Sequence, residues 1–150
     1  MSLPSFTFTG NLKSIGPAVS GVLSTAALTK AQVQFQSNLK PDRLLVFGGV
    51  SYTPPDIVYG TVAASGAIYA NDGTTNPVKL LANSSLLNVN GIQWTASVLV
   101  PVPGGTQRIT YTFNALQDGD TVNLSSLVAT PSAYPVYGDD TITLLDGGTL

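Results

Sequence analysis

Two pairs of aspartates are the places in this chain where carboxylate chemistry could be sought: Asp118 and Asp120, which flank Gly119, and the adjacent Asp139 and Asp140. Neighbouring carboxylates can divide the roles of general acid and base, or wrap a hard cation such as calcium. A calcium loop, however, draws on further oxygen ligands at regular spacing and on a bidentate acid, and neither accompanies these pairs. Asp-Gly-Asp is instead what a tight turn demands, because an aspartate there accepts hydrogen bonds from its own backbone. Asp72 in Asn71-Asp72-Gly73 has the same explanation.

The residue types that usually act beside a carboxylate are missing. The chain has no histidine and no cysteine, and all eight of its acids are aspartates. The commonest general base, the commonest metal ligand and thiol chemistry are therefore excluded together. No serine sits in a Gly-x-Ser-x-Gly elbow, and a Ser-His-Asp triad is impossible. Lys13 and Ser14 are adjacent, but adjacency alone gives a Ser/Lys dyad no specificity. No glycine-rich phosphate loop ending in Lys-Ser/Thr occurs. The expectation is a protein that is not an enzyme, with no catalytic, cofactor-binding or metal-binding residue and no cofactor.

Binding is carried by other residue types. Trp94, the single tryptophan, would be a sugar-stacking or interface anchor if exposed. On a central strand it belongs to the core, where large aromatics usually pack. Tyr52, Tyr59, Tyr134 and Tyr137 are the aromatics that could meet a glycan beside amide side chains. Asn83-Ser84-Ser85 and Asn123-Leu124-Ser125 are glycosylation-type triplets, a pattern common by chance.

The elements that must position these residues read as strands. Phe6-Thr7-Phe8-Thr9, Val33-Gln34-Phe35-Gln36, Ile109–Phe113 and Val122-Asn123-Leu124 alternate apolar and polar residues. Alternation places every second side chain on one face of a sheet. Ile57–Val62 and Ala67–Ala70 are rich in β-branched and aromatic residues that suit a pleated surface. Asn71-Asp72-Gly73 predicts a hairpin into Val78–Leu81, Pro103-Gly104-Gly105 a second between Thr95–Val100 and Arg108–Phe113, and Asp118-Gly119-Asp120 a third turn. The one helix the pattern allows is Thr25–Gln32, of at most two turns. Leu39–Asp56, with Pro41, Gly48-Gly49 and Pro54-Pro55, predicts a long excursion from the sandwich. Many short strands with Gly/Pro turns predict an all-β sandwich over residues 1–130. After Thr130 the prolines of Pro131–Val136 keep the chain extended toward a further alternating strand, Thr141–Leu145. Residues 131–150 are expected to form an extended C-terminal assembly arm.

Composition bounds the partners. Charged residues make up 9% of the chain, against about 25% in an average soluble protein. Free monomers use charge to discourage association, so a surface this neutral is expected to be covered in use, the alternative being a surface made polar by Ser, Thr, Asn and Gln. The six basic residues are scattered singly and the net charge is −2, which argues against nucleic acid. The longest aliphatic-aromatic run is Leu44-Leu45-Val46-Phe47, far short of the roughly 20 residues of a spanning helix. Met1-Ser2-Leu3-Pro4 has no basic region followed by an apolar core, so no signal peptide is expected there.

From Ala64 to Pro131 the chain resembles the Ig-like domain of minor tail proteins from long-tailed phages of actinobacteria. The resemblance rests on Ser65-Gly66, Val78-Lys79-Leu80-Leu81-Ala82, Gly91-Ile92-Gln93-Trp94-Thr95-Ala96-Ser97-Val98, Arg108–Phe113 and Val122-Asn123-Leu124-Ser125-Ser126-Leu127, in that order. Phe6–Thr9 and Gln32–Gln36 stand where that family has its opening strands. The chain departs from the pattern at Asn83–Asn88, which lacks the family's acids, and in the 39–56 excursion and the C-terminal arm. The resemblance implies an Ig-like β-sandwich and a structural virion protein of a tailed bacteriophage, a minor tail or tail-tip component located in the virion and assembled in the host bacterial cytoplasm. Its implied partners are other virion proteins, including copies of itself in a symmetric assembly, with no nucleic acid and no membrane. A capsid decoration protein of the head and a glycan-binding adhesin module for host attachment are the alternatives.

Overall fold

Strict alternation sets the first strand. In β1 (Ser5–Thr9) Phe6 and Phe8 are fully buried, and Ser5, Thr7 and Thr9 between them keep partial access to solvent. The computed structural model describes residues 2–129. Within it β1 is the middle of a three-stranded sheet. It runs antiparallel to β9 (Val78–Leu81), with Phe6 opposite Leu80, and parallel to β12 (Thr121–Asn123), with Phe8 opposite Val122.

A five-stranded antiparallel sheet faces it. Its order is β11 (Gly105–Asn114), β10 (Gln93–Val102), β4 (Gln32–Ser37), β7 (Val58–Val62) and β8 (Ile68–Ala70). Val33 and Phe35 of β4 and Trp94, Ala96 and Val98 of β10 point inward and are buried. They meet Phe6, Phe8, Val78 and Leu80 in one apolar cluster. The Phe8 and Phe35 rings cross the interlayer space edge to face, with centroids 4.7 Å apart. Each such side chain contributes about 1.5–3 kcal/mol by leaving water. The expected all-β sandwich is therefore the fold.

The turns follow their chemistry. Val102 pairs with Gly105, so Pro103-Gly104 is a two-residue connection between β10 and β11. Gly104 has φ +87°, the conformation a turn with proline before glycine requires. After β12, Asn123 caps a 3-10 turn (Leu124–Ser126) by accepting from the Ser125 N–H at 2.9 Å.

Two expectations need correction. Thr25–Gln32 is not helical. Thr25–Ala27 ends β3 (Val22–Ala27), which pairs with β2 (Lys13–Val19), and Gln32 already opens β4. Pairing of Thr25 with Ile15 and of Ala26 with Ser14 decides the matter, because one or two helical turns cannot nucleate on their own. Asn71-Asp72-Gly73 does turn the chain, but it makes no hairpin: β8 and β9 belong to different sheets, so the turn carries the chain from one layer to the other. Leu39–Asp56 lies outside both sheets. It folds as a hairpin of β5 (Leu45–Phe47) and β6 (Val50–Tyr52), with Leu45 and Phe47 buried. Asn88 holds it in place, accepting from the Val46 N–H at 2.8 Å and donating to the Leu44 carbonyl at 3.2 Å.

The arm expected over residues 131–150 lies outside the described residues. The described residues already close two sheets around one apolar cluster. A chain ended after Thr130 is therefore expected to fold with a thermal midpoint close to that of the full chain, read by near-UV circular dichroism. Loss of the folded signal would assign 131–150 to the core.

Candidate interaction surface

The carboxylates are used on backbone groups. Asp118 accepts from the Ser5 N–H at 2.8 Å, and Asp120 accepts from the Gln117 N–H at 3.2 Å. Gly119 N–H donates to the Ser5 carbonyl at 2.9 Å, and Thr7 N–H to the Asp120 carbonyl at 2.8 Å. The turn thus clamps the start of β1 to the approach of β12. The Thr74 hydroxyl and N–H both donate to Asp72, and these bonds hold its carboxyl below the usual carboxylate range. Asp139 and Asp140 lie outside the described residues. Among the described residues no three His, Cys, Asp or Glu side chains gather where they could hold a metal ion.

The other chemical candidates separate in the same way. Lys13 and Ser14 are successive residues of β2 and point to opposite faces, and the Ser14 hydroxyl donates to the Ala26 carbonyl at 3.4 Å. Trp94 is a core residue, 1% exposed, and its Nε1–H donates to the Leu81 carbonyl at 2.9 Å across the two sheets. Asn83 is occupied on both sides of its amide: Nδ2 donates to the Ala115 carbonyl at 2.8 Å, and Oδ1 accepts from the Ile92 N–H at 3.0 Å. Asn123 is the cap described above. Both glycosylation-type asparagines therefore do structural work.

Two regions of the surface stand out, one apolar and one amide-rich. The β2–β3 hairpin stands clear of both sheets, and Ile15, Val19, Val22 and Leu23 on it are 74%, 63%, 68% and 63% exposed. Its turn is Ser20-Gly21 with φ +52° and +79°, and two left-handed residues in succession match the twist of a tight hairpin. Serine tolerates that conformation at a cost that glycine avoids. A bulge between Ile15 and Ala18 is pinned by the Ser24 hydroxyl, which donates to the Pro17 carbonyl at 2.8 Å. Alternation places Val19 and Val22 on one face of the ribbon, and Ala18 and Leu23 on the other. Both faces are apolar near the tip, and residues 14–29 contain no charged side chain. Sequence reasoning missed this element. Ser-Gly between Val19 and Val22 was the available signal.

The solvent face of the five-stranded sheet is different. Gln32 and Gln34 of β4 sit directly opposite Thr61 and Tyr59 of β7, and Tyr69 of β8 lies opposite Thr61. Tyr59 is 46% exposed. Tyr52, by contrast, packs against the core, and Tyr134 and Tyr137 lie outside the described residues. Two shallow grooves flank the β5–β6 hairpin. One of about 310 Å³ is walled mainly by Leu3, Pro4, Leu45, Tyr52, Leu80 and Leu81. The other, about 510 Å³, runs from Gln36 and Ser37 past Leu39 to Ile57, and the two share Thr53 and Pro55.

Comparison with protein families, with characterised proteins and with solved structures found no match to this chain.

Proposed function

We propose that this chain is a structural virion protein of a tailed bacteriophage, a minor tail or tail-tip component that works by assembly rather than catalysis. The observation that carries the reading is the β2–β3 hairpin, a ribbon with four large aliphatic side chains in water and no charged residue from 14 to 29 to protect them. Isolated two-stranded ribbons are marginal in water, and exposed apolar patches of this kind mark contacts with other proteins. The sandwich supplies a rigid base, and the hairpin supplies the adhesive element. The sequence resemblance to phage tail domains gives the assembly its setting.

The test is incorporation. Purified particles are expected to contain the chain at a handful of copies, by quantitative mass spectrometry. Replacing Val22 and Leu23 with aspartate should leave a folded protein that is lost from particles. Hundreds of copies per particle would move the protein to the capsid as a decoration protein, and absence from particles would end the virion reading.

A second reading is favoured by one observation, the Gln32–Gln34–Tyr59–Tyr69 face. An exposed ring flanked by amides is what sugar recognition uses, stacking on the ring and hydrogen bonding beside it. A glycan array with wild type and Tyr59→Ala decides it. Binding that disappears in the variant supports an adhesin module, and no binding by wild type removes it.

A further inference from the structure

We infer that the β2–β3 hairpin of one copy seats its tip in the apolar groove of the next copy, a head-to-tail contact between copies of this chain; this names the partner of the assembly element proposed above and rests on that reading. The two surfaces lie at opposite ends of the sandwich. The hairpin is rooted where β1 leaves the sheet: Leu12 N–H donates to the Gly66 carbonyl at 2.9 Å, and Leu28 N–H to the Leu12 carbonyl at 3.0 Å. The groove lies where β1 enters, because Leu3 and Pro4 precede the strand and Leu81 stands opposite Ser5. β4 gives the same polarity. It begins just after the hairpin root, and it ends at Ser37 beside the second groove. The exposure of Val19, Val22 and Leu23 places the tip in solvent, away from its own groove. A second copy is the occupant that satisfies both ends.

The chemistry of the two surfaces agrees. Residues 14–29 bring no charge to desolvate. The charged side chain in the groove wall, Lys79, already donates to the Thr7 hydroxyl at 2.7 Å. Lys79 is exposed, so its ammonium can stay in water at the rim while the tip enters, and the contact need not desolvate a charge, the usual obstacle to an apolar contact. A groove of about 310 Å³ admits tip side chains, not the whole ribbon. That is a small contact beside the roughly 800 Å² per partner of a stable interface. Single pairs are accordingly weak. Each copy gives one hairpin and takes one, so the contact propagates, closing as a ring or continuing as a filament according to the rotation between copies.

The absence of cysteine makes a clean test. Full-length chains carrying Ser20→Cys at the hairpin tip and Thr53→Cys at the groove rim are mixed and oxidised. Both positions are exposed, as is the control Thr106→Cys on β11. Covalent dimers are expected several-fold above the Ser20→Cys/Thr106→Cys mixture, returning to that background when Val22→Asp and Leu23→Asp are added to the hairpin chain. Dimers no more abundant than the control overturn the inference. So does Ser20→Cys alone dimerising as efficiently as the mixture, which would mean that hairpins meet each other. Loss of the Val22→Asp/Leu23→Asp chain from virions without Ser20–Thr53 cross-linking would make the hairpin's partner a different protein, sinking this inference but sparing the assembly reading. Normal entry of that chain into virions would sink the assembly role of the hairpin itself.

Discussion

Trp94→Ala is expected to be unfolded at urea concentrations where the wild type is fully native. Trp94 is 1% exposed, and it stands opposite Ser37 on β4 and Phe113 on β11. Removing a buried tryptophan side chain costs about 3–5 kcal/mol through lost transfer energy and the cavity left behind. A domain of this size has about 5–15 kcal/mol in all. The indole also carries a polar bond, since its Nε1–H reaches the Leu81 carbonyl on the facing sheet at 2.9 Å. Trp94→Phe separates the two contributions. It keeps most of the apolar volume and leaves the Leu81 carbonyl short of its donor, an effect of about 1–3 kcal/mol for a buried group. The expected order of urea midpoints is wild type, then Trp94→Phe, then Trp94→Ala. A Trp94→Ala midpoint near that of wild type would place the ring at the surface and overturn the core described above.

Trp94 is also an instance of what the sequence made legible. Its neighbours Ile92, Ala96 and Val98 alternate with Gln93, Thr95 and Ser97, and period two is a local property that survives in the folded sheet. Phe6 and Phe8, and Val33 and Phe35, were readable for the same reason. The turn at Pro103-Gly104 was readable because proline and glycine fix backbone angles by themselves. What escaped was decided by distant partners. Nothing near Asn71-Asp72-Gly73 says that β8 and β9 belong to different layers, because a turn has the same local chemistry in a hairpin and in a sheet crossover. Thr25–Gln32 escaped because alanine and leucine favour helix locally, whereas Ile15 and Ser14 across the ribbon settle the strand. The hairpin itself was hard to see because its apolar residues face no core, so its strands lack the one-sided alternation that marks a half-buried element. The candidate interaction surface was thus illegible for the reason that makes it a candidate.

Asn83 carries the second large effect. Its side chain closes a joint between three segments: the end of β9, the approach to β10 at Ile92, and the exit from β11 at Ala115. Nδ2 donates to the Ala115 carbonyl at 2.8 Å and weakly to the Ile92 carbonyl at 3.4 Å, and Oδ1 accepts from the Ile92 N–H at 3.0 Å. Ile92 is fully buried and Ala115 nearly so, which leaves water little room to replace these bonds. Asn83→Ala orphans a donor and an acceptor, and about 1–3 kcal/mol for each is the expected cost. Asn83→Asp is more informative. At neutral pH the introduced carboxylate has no proton to give and faces two carbonyl oxygens, so the native state disfavours the charged form. Its folded pKa then lies above the unfolded value of about 3.9. The native state binds the proton more tightly, so stability falls as pH rises between the two values. Relative to wild type, the Asn83→Asp deficit should be smallest below about pH 4, where the protonated carboxyl can still donate to Ala115. It should grow as the pH rises through the raised folded pKa, and level off above it. Urea midpoints of the two proteins across that range read the effect. A deficit that is constant with pH would mean that the side chain at position 83 does not face the Ala115 and Ile92 carbonyls, and the joint would have to be held by the backbone bonds from Asn83 N–H to Leu116 and from Ala115 N–H to Ile92, each 2.9 Å, alone.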